Sequence, residues 1–249
     1  MAGLMISDNR GGRQCTLEDV CAVPVPVATD SYNPIPNGDL IQMLKEAVKR
    51  VYNVGEGDMN LSLALSGKDQ QMFGSLTVGS KALTSDRFKS STTIVFRSSY
   101  NKSLSVTFAG GAHSWVCSNL QISGEIVELR RHTTDIWTDI LALIERVVRG
   151  ARGNFENSMA TAKSLSGIKM SYDESCRLIG LAQGHKVLRP QQASVVLQEL
   201  EMPSHEEFRP ETAWSLYNHF TEGLKRGRAC EALARHQRAT QFFDRQLLS

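Results

Sequence analysis

The sequence predicts an α+β protein: an antiparallel sheet backed by a long helix, with a helical C-terminal lobe. Two observations lead to this prediction. Between residue 61 and about residue 130, apolar residues recur with the period of two that is typical of strands. After residue 132, they recur with the 3.6-residue period of helices. Because the strands precede the helices rather than alternating with them, the sheet is expected to be antiparallel.

The first 35 residues are expected to form an extended arm that lies along the surface or adds an edge strand. They contain a glycine pair, three prolines and no helical period. The first helix follows, with Asn37 as its expected N-cap, and it ends at Asn53. Its buried face is predicted to consist of Leu40, Met43, Leu44, Ala47, Val48 and Val51.

Strands are predicted where small or polar residues alternate with apolar ones. Residues 61–66 and 103–108 show this pattern, residues 92–97 are β-branched and aromatic, and the loop 98–102 is short enough for a hairpin. Gly110-Gly111 is predicted to form a second turn before further strands at 114–118 and 122–130. The sheet is therefore expected to contain about four to six strands.

Helices are predicted for the rest of the chain. A long helix packs on the sheet through residue 152, and its pattern continues more weakly to residue 167. Ser171 and Glu174 form a capping box that opens a second helix, and Pro190 opens a third. A last helical segment follows Pro210, with a break near Gly223 or Gly227.

These patterns divide the chain into three parts. Residues 1–35 form the arm, residues 36–152 the α+β core, and residues 153–249 a helical lobe packed on that core. The chain has no apolar signal core and no apolar run long enough to cross a bilayer, so a membrane partner is not expected. Its five scattered cysteines match no disulfide framework, which favours a cytoplasmic location.

Signatures of common enzymes are absent from the sequence. It has no GxSxG, Walker A, GxGxxG or HExxH motif, so an enzyme is not the favoured class. His113, Cys117 and His132 resemble part of a zinc site but lack a fourth ligand, and Cys117 as a nucleophile would need a lowered pKa. Structural roles are favoured for these three residues, and no metal or cofactor is predicted.

Charge is distributed unevenly along the chain. The net charge is +2, but residues 61–115 carry six basic and two acidic side chains. Basic and aromatic residues alternate in this segment, as they do where proteins bind single-stranded nucleic acid. The predicted contacts are Lys68, Lys81, Lys89, Arg97 and Lys102 for phosphate, and Tyr100 or Phe73 for stacking. Alternatively, half of the aromatics point into the core and the cations are ordinary surface charge.

A second basic surface is predicted on the last helix. If that helix is continuous, Arg228, Arg235, Arg238 and Arg245 lie on one face, either as a phosphate-binding stripe or as a solvated face with local ion pairs. Trp214 and Tyr217 lie one turn apart and are interpreted as a buried aromatic anchor with a polar network. Ligand binding is the alternative for that pair.

Five short motifs occur in a recognisable order along the chain. They are Phe96-Arg97-Ser98-Ser99-Tyr100-Asn101-Lys102-Ser103, Gly110-Gly111, Val116-Cys117-Ser118-Asn119, Arg131-His132 and Trp214-Ser215-Leu216-Tyr217-Asn218-His219-Phe220-Thr221-Glu222. Together they resemble the family labelled domain of unknown function nine-three-two, over roughly residues 60 to 245. The chain departs from that family's pattern at Tyr100-Asn101-Lys102, where His-Asp-Gly is usual, and at Leu120, where a glycine is usual.

The resemblance implies a setting rather than a reaction. The family has no assigned activity. The resemblance implies a protein of a phage or other mobile element that acts in the bacterial cytoplasm, of a kind often considered alongside DNA recombination and counter-defence genes. Combined with the basic sheet segment, this predicts an accessory protein that binds nucleic acid, above all single-stranded DNA. The first alternative is an inhibitor of a host defence protein that uses apolar or acidic patches on the helical lobe, where residues 173–211 carry four basic and seven acidic side chains. The second is a metal- or cysteine-dependent enzyme. Assembly with further copies of the chain is left open.

Overall fold

The computed structural model describes residues 12–80, 83–88, 90–114, 120–121, 127–128, 136–225 and 231–249. Within them the predicted α+β architecture is confirmed: an antiparallel sheet, a long helix packed on it, and a helical C-terminal lobe. The strands are β1 (Gly12–Cys15), β2 (Met59–Ser66), β3 (Gln71–Val78), β4 (Thr84–Ser85), β5 (Ser90–Ser99), β6 (Thr107–Ser114), β7 (Leu120–Gln121) and β8 (Val127–Glu128). The helices are α1 (Leu17–Ala22), α2 (Asn37–Tyr52), α3 (Ile136–Gly167), α4 (Tyr172–Gly184), α5 (Pro190–Glu201), α6 (Ala213–Leu224) and α7 (Ala232–Phe243).

The strands form one antiparallel sheet in the order β1-β2-β3-β5-β6-β7. β4 also pairs with β5, and β8 pairs with β6. Strand β3, which the sequence pattern did not reveal, lies between β2 and β5 and pairs with both along its whole length, from Gln71 to Val78. The arm adds β1 to the edge of the sheet, as expected of an edge strand.

Helices α2 and α3 pack on the same face of the sheet. Along each strand, residues that face α2 and α3 alternate with residues that face the other way. Only the residues that face the two helices belong to the larger apolar core. Each fully buried aliphatic or aromatic side chain there contributes about 1.5–3 kcal/mol of burial free energy. The sheet contributes Leu65, Met72, Leu76, Ile94 and Phe108 to this core, α2 contributes Leu40, Leu44 and Val48, and α3 contributes Ile140, Ile144 and Val148.

The Gly110-Gly111 pair was predicted to form a turn, and this prediction is wrong. Both glycines lie inside β6, opposite Ile94 and Thr93 of β5. A Cβ atom on Gly110 would come within 2.9 Å of the Cα of Ala151 in α3. The glycine is therefore required for the close approach of α3 to the sheet rather than for a reversal of the chain.

The start of the chain is more structured than the predicted extended arm. Thr16 and Asp19 form a capping box that opens α1, with the Thr16 N–H donating to Asp19 Oδ2 over 2.8 Å. Val20 of α1 is buried in the core beside α2. Asn37, predicted as the N-cap of α2, is instead its first helical residue, and its side chain makes no capping hydrogen bond.

The helical lobe has a second apolar core, formed by the end of α3 with α4, α5, α6 and α7. Trp214 and Tyr217 stack at 5.6 Å between ring centroids, and the Tyr217 hydroxyl lies 3.0 Å from Thr240 Oγ1. Phe88, which follows β4, meets Trp214 edge-on at 5.6 Å. The predicted aromatic anchor is thus confirmed, and it connects the lobe to the sheet.

Several boundaries in the lobe agree with the sequence patterns. Ser171 and Glu174 form the capping box at the start of α4, and Pro190 is the first residue of α5. The last helical segment is interrupted after α6, and α7 ends in a π-helical turn at Asp244–Leu248. No helix among the described residues combines the length and apolar character needed to cross a membrane.

Gly74→Ala tests the packing of β3 against β5. A Cβ at Gly74 would lie 2.2 Å from the ring of Phe96, which is itself buried against Phe108. We expect the free energy of unfolding to fall by about 1–3 kcal/mol or more in urea denaturation. Gly180→Ala is the control, because no atom lies within 4 Å of that position on α4 and the change should stabilise the helix by up to about 1 kcal/mol. Equal effects of the two substitutions would contradict this packing.

The buried His219 and the partly buried His113 predict acid sensitivity. Burial lowers the pKa of His113 to about 4, with a smaller effect from Lys225, and burial lowers the pKa of His219 to about 4. The unfolded chain takes up these protons near pH 6.5. The contribution of the two neutral histidines to the free energy of unfolding is therefore complete above about pH 6.5 and is lost as the pH falls towards 4.

We expect the free energy of unfolding to fall by on the order of 3 kcal/mol between pH 7 and pH 5. The carboxylates with lowered pKa, such as that of Glu174, titrate below this window. Denaturation at both pH values should show about half of the pH-dependent loss in each single variant, His113→Gln and His219→Gln. A loss of unchanged size in both variants would disprove the assignment.

Candidate nucleic-acid interface

Three of the predicted cations lie at one end of the sheet. Lys68 is in the turn between β2 and β3, Lys102 is in the loop between β5 and β6, and Arg97 lies near the end of β5. The turn and the loop are held side by side: the Tyr100 N–H donates to the Gln70 carbonyl over 2.8 Å, and Gln71 Nε2 donates to Ser103 Oγ over 2.8 Å. We call Arg13, Lys68, Arg97 and Lys102 the sheet end.

The turn that carries Lys68 has an unusual backbone. Lys68 and Asp69 have φ angles of 58° and 64°, both in the left-handed region, as in the type I′ turns that join twisted strands. Asp69 accepts hydrogen bonds from Arg13 Nε at 3.2 Å and Arg13 Nη2 at 3.0 Å. This bidentate pair fastens the turn to β1 and neutralises Arg13, while the Lys68 side chain is exposed to solvent.

Lys102 is positioned by an aromatic ring. Its ammonium nitrogen lies 4.3 Å from the centroid of the Tyr32 ring, a cation–π contact. The Tyr32 hydroxyl donates to the Tyr100 carbonyl over 3.1 Å, so the ring is fixed relative to the loop. Asn101 Oδ1 accepts the Ser103 N–H at 3.1 Å, which closes the loop beside Lys102. The cation is therefore exposed but held in place.

Tyr100 does not have the predicted stacking role. Only 4% of the residue is exposed, and its hydroxyl accepts the N–H of Asn37, the first residue of α2, over 2.8 Å. Burial raises the pKa of Tyr100 above its ordinary value. Phe73 is also buried. Neither ring has a face on which a base can stack, so the expectation that Tyr100 or Phe73 supplies stacking is corrected.

Arg97 lies on the sheet face opposite α2 and α3. It is partly buried between Phe73 and Thr107 on the neighbouring strands, and its Nε donates to Thr107 Oγ1 over 3.1 Å. This second face is largely buried as well, as Thr93, Val95 and Ala109 show. A nucleic-acid strand therefore has no open sheet face to cross among the described residues, and the sheet end is where the predicted cations meet solvent.

The predicted arginine stripe on the last helix is corrected too. Arg235 is only 3% exposed, and its Nη1 lies 3.7 Å from Glu231 Oε2. Arg238 is exposed and donates from Nε to the carbonyl of Ala234 over 3.2 Å. Arg235, Arg238 and Arg245 all follow the break after α6, so it is the burial of Arg235 that removes this residue from a phosphate-binding stripe.

Some predicted residues cannot be placed. Five of them lie outside the described residues: Lys81, Lys89, Arg228, Cys117 and His132. Of the proposed zinc ligands, only His113 is described, and within the described ranges no group of three His, Cys, Asp or Glu side chains could hold a metal ion.

Sequence patterns missed two residues of the sheet end. Arg13 fixes the β2–β3 turn through Asp69, which is 56 positions away in the chain. Tyr32 supports Lys102 from the segment before α2. Neither contact has a local signal, because each joins segments that the fold alone brings together.

Comparison with known proteins gives one match. A family model described as "Domain of unknown function (DUF932)" matches residues 24–247, which is most of the chain and extends beyond the motifs noted in the sequence. No curated protein matches the chain, and no solved structure does.

Tyr100→Phe tests the structural role of the hydroxyl. The substitution leaves the Asn37 N–H buried without its acceptor, which costs about 1–3 kcal/mol of folding free energy. We expect a matching decrease in the free energy of unfolding by urea denaturation. Tyr172→Phe is the control, since that ring is half exposed and its hydroxyl bonds only surface groups, and it should change stability by less than about 0.5 kcal/mol. Equal stability of wild type and Tyr100→Phe would show that water replaces the lost hydroxyl.

Proposed function

The chain belongs to the family described as a domain of unknown function (DUF932), and we propose that it binds single-stranded DNA through the sheet end. The observation that supports this proposal is the convergence of Lys68, Arg97 and Lys102, which the sequence separates by up to 34 positions. In this proposal the protein takes part in the DNA metabolism or recombination of a phage or other mobile element, in the cytoplasm of the host bacterium.

Phosphate contact, rather than base stacking, is the basis of the proposed binding. Lys68 and Lys102 project from two short loops joined by hydrogen bonds, so little conformational entropy of the backbone is lost when phosphates bind. Arg13 is already paired with Asp69 and adds little charge. Because Tyr100 and Phe73 are buried, the proposed interface lacks the aromatic platforms that strengthen many single-strand binders.

The number of cations that contact phosphate sets the expected strength of binding. Two or three phosphate contacts give a slope of about −1.4 to −2.1 in a plot of log affinity against log salt concentration, at about −0.7 per phosphate of single-stranded DNA. Binding is therefore expected at low salt and should weaken strongly towards physiological salt. Higher affinity would need several copies of the chain on one strand.

The test is a fluorescence-anisotropy titration with a labelled single-stranded oligonucleotide at several salt concentrations. In the Lys68→Ala/Lys102→Ala variant we expect weaker binding and a salt slope that is less negative by about 1.4, because two phosphate contacts are lost. Lys163→Ala/Lys186→Ala is the matched control: it removes two exposed lysines from the helical lobe and should leave the slope unchanged.

Two outcomes would overturn the proposal. One is the absence of binding by the wild-type protein at low salt. The other is an equal change of slope in the two double variants, because this would mean that charge anywhere on the surface is sufficient. Both variants should unfold at the wild-type urea concentration, since all four lysines are exposed.

A further inference from the structure

The helical lobe contains an open cavity of about 500 Å³. It lies between α4, α5, the segment 202–212 and α6. Its volume is within the range of about 300–1,000 Å³ that is usual for ligand sites. Its apolar lining includes Met170, Leu200, Met202, Phe208 and Leu216.

A second cavity of about 300 Å³ adjoins the first. Phe208, Pro210, Thr212 and Ser215 line both cavities, and the second continues to Trp214. The two cavities therefore lie next to each other along the segment 206–212, as one composite site. We call it the lobe groove.

Large apolar side chains are exposed at the rim of the lobe groove. Met202 is 78% exposed and Tyr172 is 50% exposed, and both line the first cavity. Single exposed apolar residues are common, but two beside an apolar cavity are typical of an interaction surface. The methionine side chain is flexible and can adapt to the shape of an apolar partner, so Met202 suits such a surface.

Charge around the groove is mostly negative. Glu201, Glu207 and Glu211 line it and are exposed. Two arginines also line the groove: Arg87, whose guanidinium carbon lies 5.2 Å from the centroid of the Phe88 ring, and Arg209, whose Nη2 lies 3.5 Å from Glu206 Oε1. Glu206 offsets the charge of Arg209, and the three glutamates outnumber Arg87. An occupant with positive groups is therefore complementary to this rim.

His219 lies in the floor of the groove and is only 2% exposed. The ring hydrogen-bonds the backbone of Phe208, and its Nδ1 has no hydrogen-bond partner among the described residues. The nearest carboxylate oxygen, Glu199 Oε2, is 4.0 Å from Nδ1. Burial lowers the pKa of His219 to about 4, so the ring is neutral at pH 7. Nδ1 is therefore an acceptor, whereas the Glu199 carboxylate already accepts hydrogen bonds from the N–H and the hydroxyl of Ser204.

We propose that the lobe groove binds a short peptide segment of a partner protein, in which apolar side chains are flanked by lysine or arginine. The two adjoining cavities accept successive side chains, the glutamates of the rim pair with the flanking cations, and the exposed Met202 and Tyr172 cover the apolar side chains. This site is separate from the sheet end. The alternative function is the binding of a partner protein through apolar or acidic patches of the helical lobe. The lobe groove gives that alternative a definite surface and a definite ligand chemistry.

The experiment uses the full chain and a fluorescein-labelled peptide of sequence Gly-Lys-Leu-Leu-Lys-Gly at low salt. We expect saturable binding, and a decrease in affinity of at least about tenfold in each of Met202→Asp and Glu211→Lys. The matched controls are Val27→Asp and Asp30→Lys, which make the same kinds of change at exposed positions outside the groove and should bind as the wild type does. All four positions are exposed, so the variants should fold.

Two further peptides test the ligand chemistry. Gly-Glu-Leu-Leu-Glu-Gly and Gly-Lys-Ser-Ser-Lys-Gly should each bind at least about tenfold more weakly than the first peptide. The proposal is overturned if the first peptide shows no binding up to about 1 mM, if the groove variants bind it as well as the controls do, or if the charge-reversed peptide binds equally well.

A competition experiment separates this proposal from DNA binding. Unlabelled single-stranded DNA should leave the labelled peptide bound, and Lys68→Ala/Lys102→Ala should bind the peptide as the wild type does. Displacement by DNA, at a salt concentration at which the peptide does not bind DNA by itself, would show that the groove is part of a nucleic-acid site, and the proposed peptide site would then be wrong. Peptide binding without any DNA binding would support the groove and reject the function proposed for the sheet end.

Discussion

The packing of α3 against the sheet is the interaction on which the rest of the structure depends. At about 1.5 Å per residue, its 32 residues span roughly 48 Å, much longer than the sheet face that it covers. Its first half buries Ile140, Ile144 and Val148 on the sheet, and its second half joins the core of the helical lobe through Leu165. The close approach at Gly110 and Ala151 fixes the height of this helix over β6. One element thereby belongs to both apolar cores and sets how the lobe and the sheet are arranged.

This arrangement restricts where a ligand can bind. One sheet face is covered by α2 and α3, and the other is largely buried, so the surfaces left for a partner are at the margins. The sheet end presents lysines on two joined loops, whereas the lobe groove presents glutamates around an apolar floor. The two surfaces therefore differ in charge and lie in different parts of the fold.

Tyr100 shows how closely the sheet end is tied to the core. Its ring is buried, its hydroxyl accepts the first N–H of α2, and its own backbone bonds the β2–β3 turn. The loop that carries Lys102 is therefore as well ordered as the start of α2. The same contact explains why Asn37 begins the helix without a side-chain cap, because an acceptor from a distant loop satisfies the exposed end of the backbone.

The sequence by itself determined the local elements: the apolar stripe of α2, the capping box before α4, Pro190 at the start of α5, and the α+β class. These features are encoded by residues a few positions apart, since periodicity and capping are local interactions. The tertiary structure alone decided that Gly110 meets a helix, that Tyr100 and Arg235 are buried, and that the loops carrying Lys68 and Lys102 lie side by side. It also decided the lobe groove, whose walls come from residues 166 to 219 and from Arg87 and Phe88. The exposure of a side chain and the approach of two segments depend on residues far apart in the chain. The local spacing of residue types does not identify those residues.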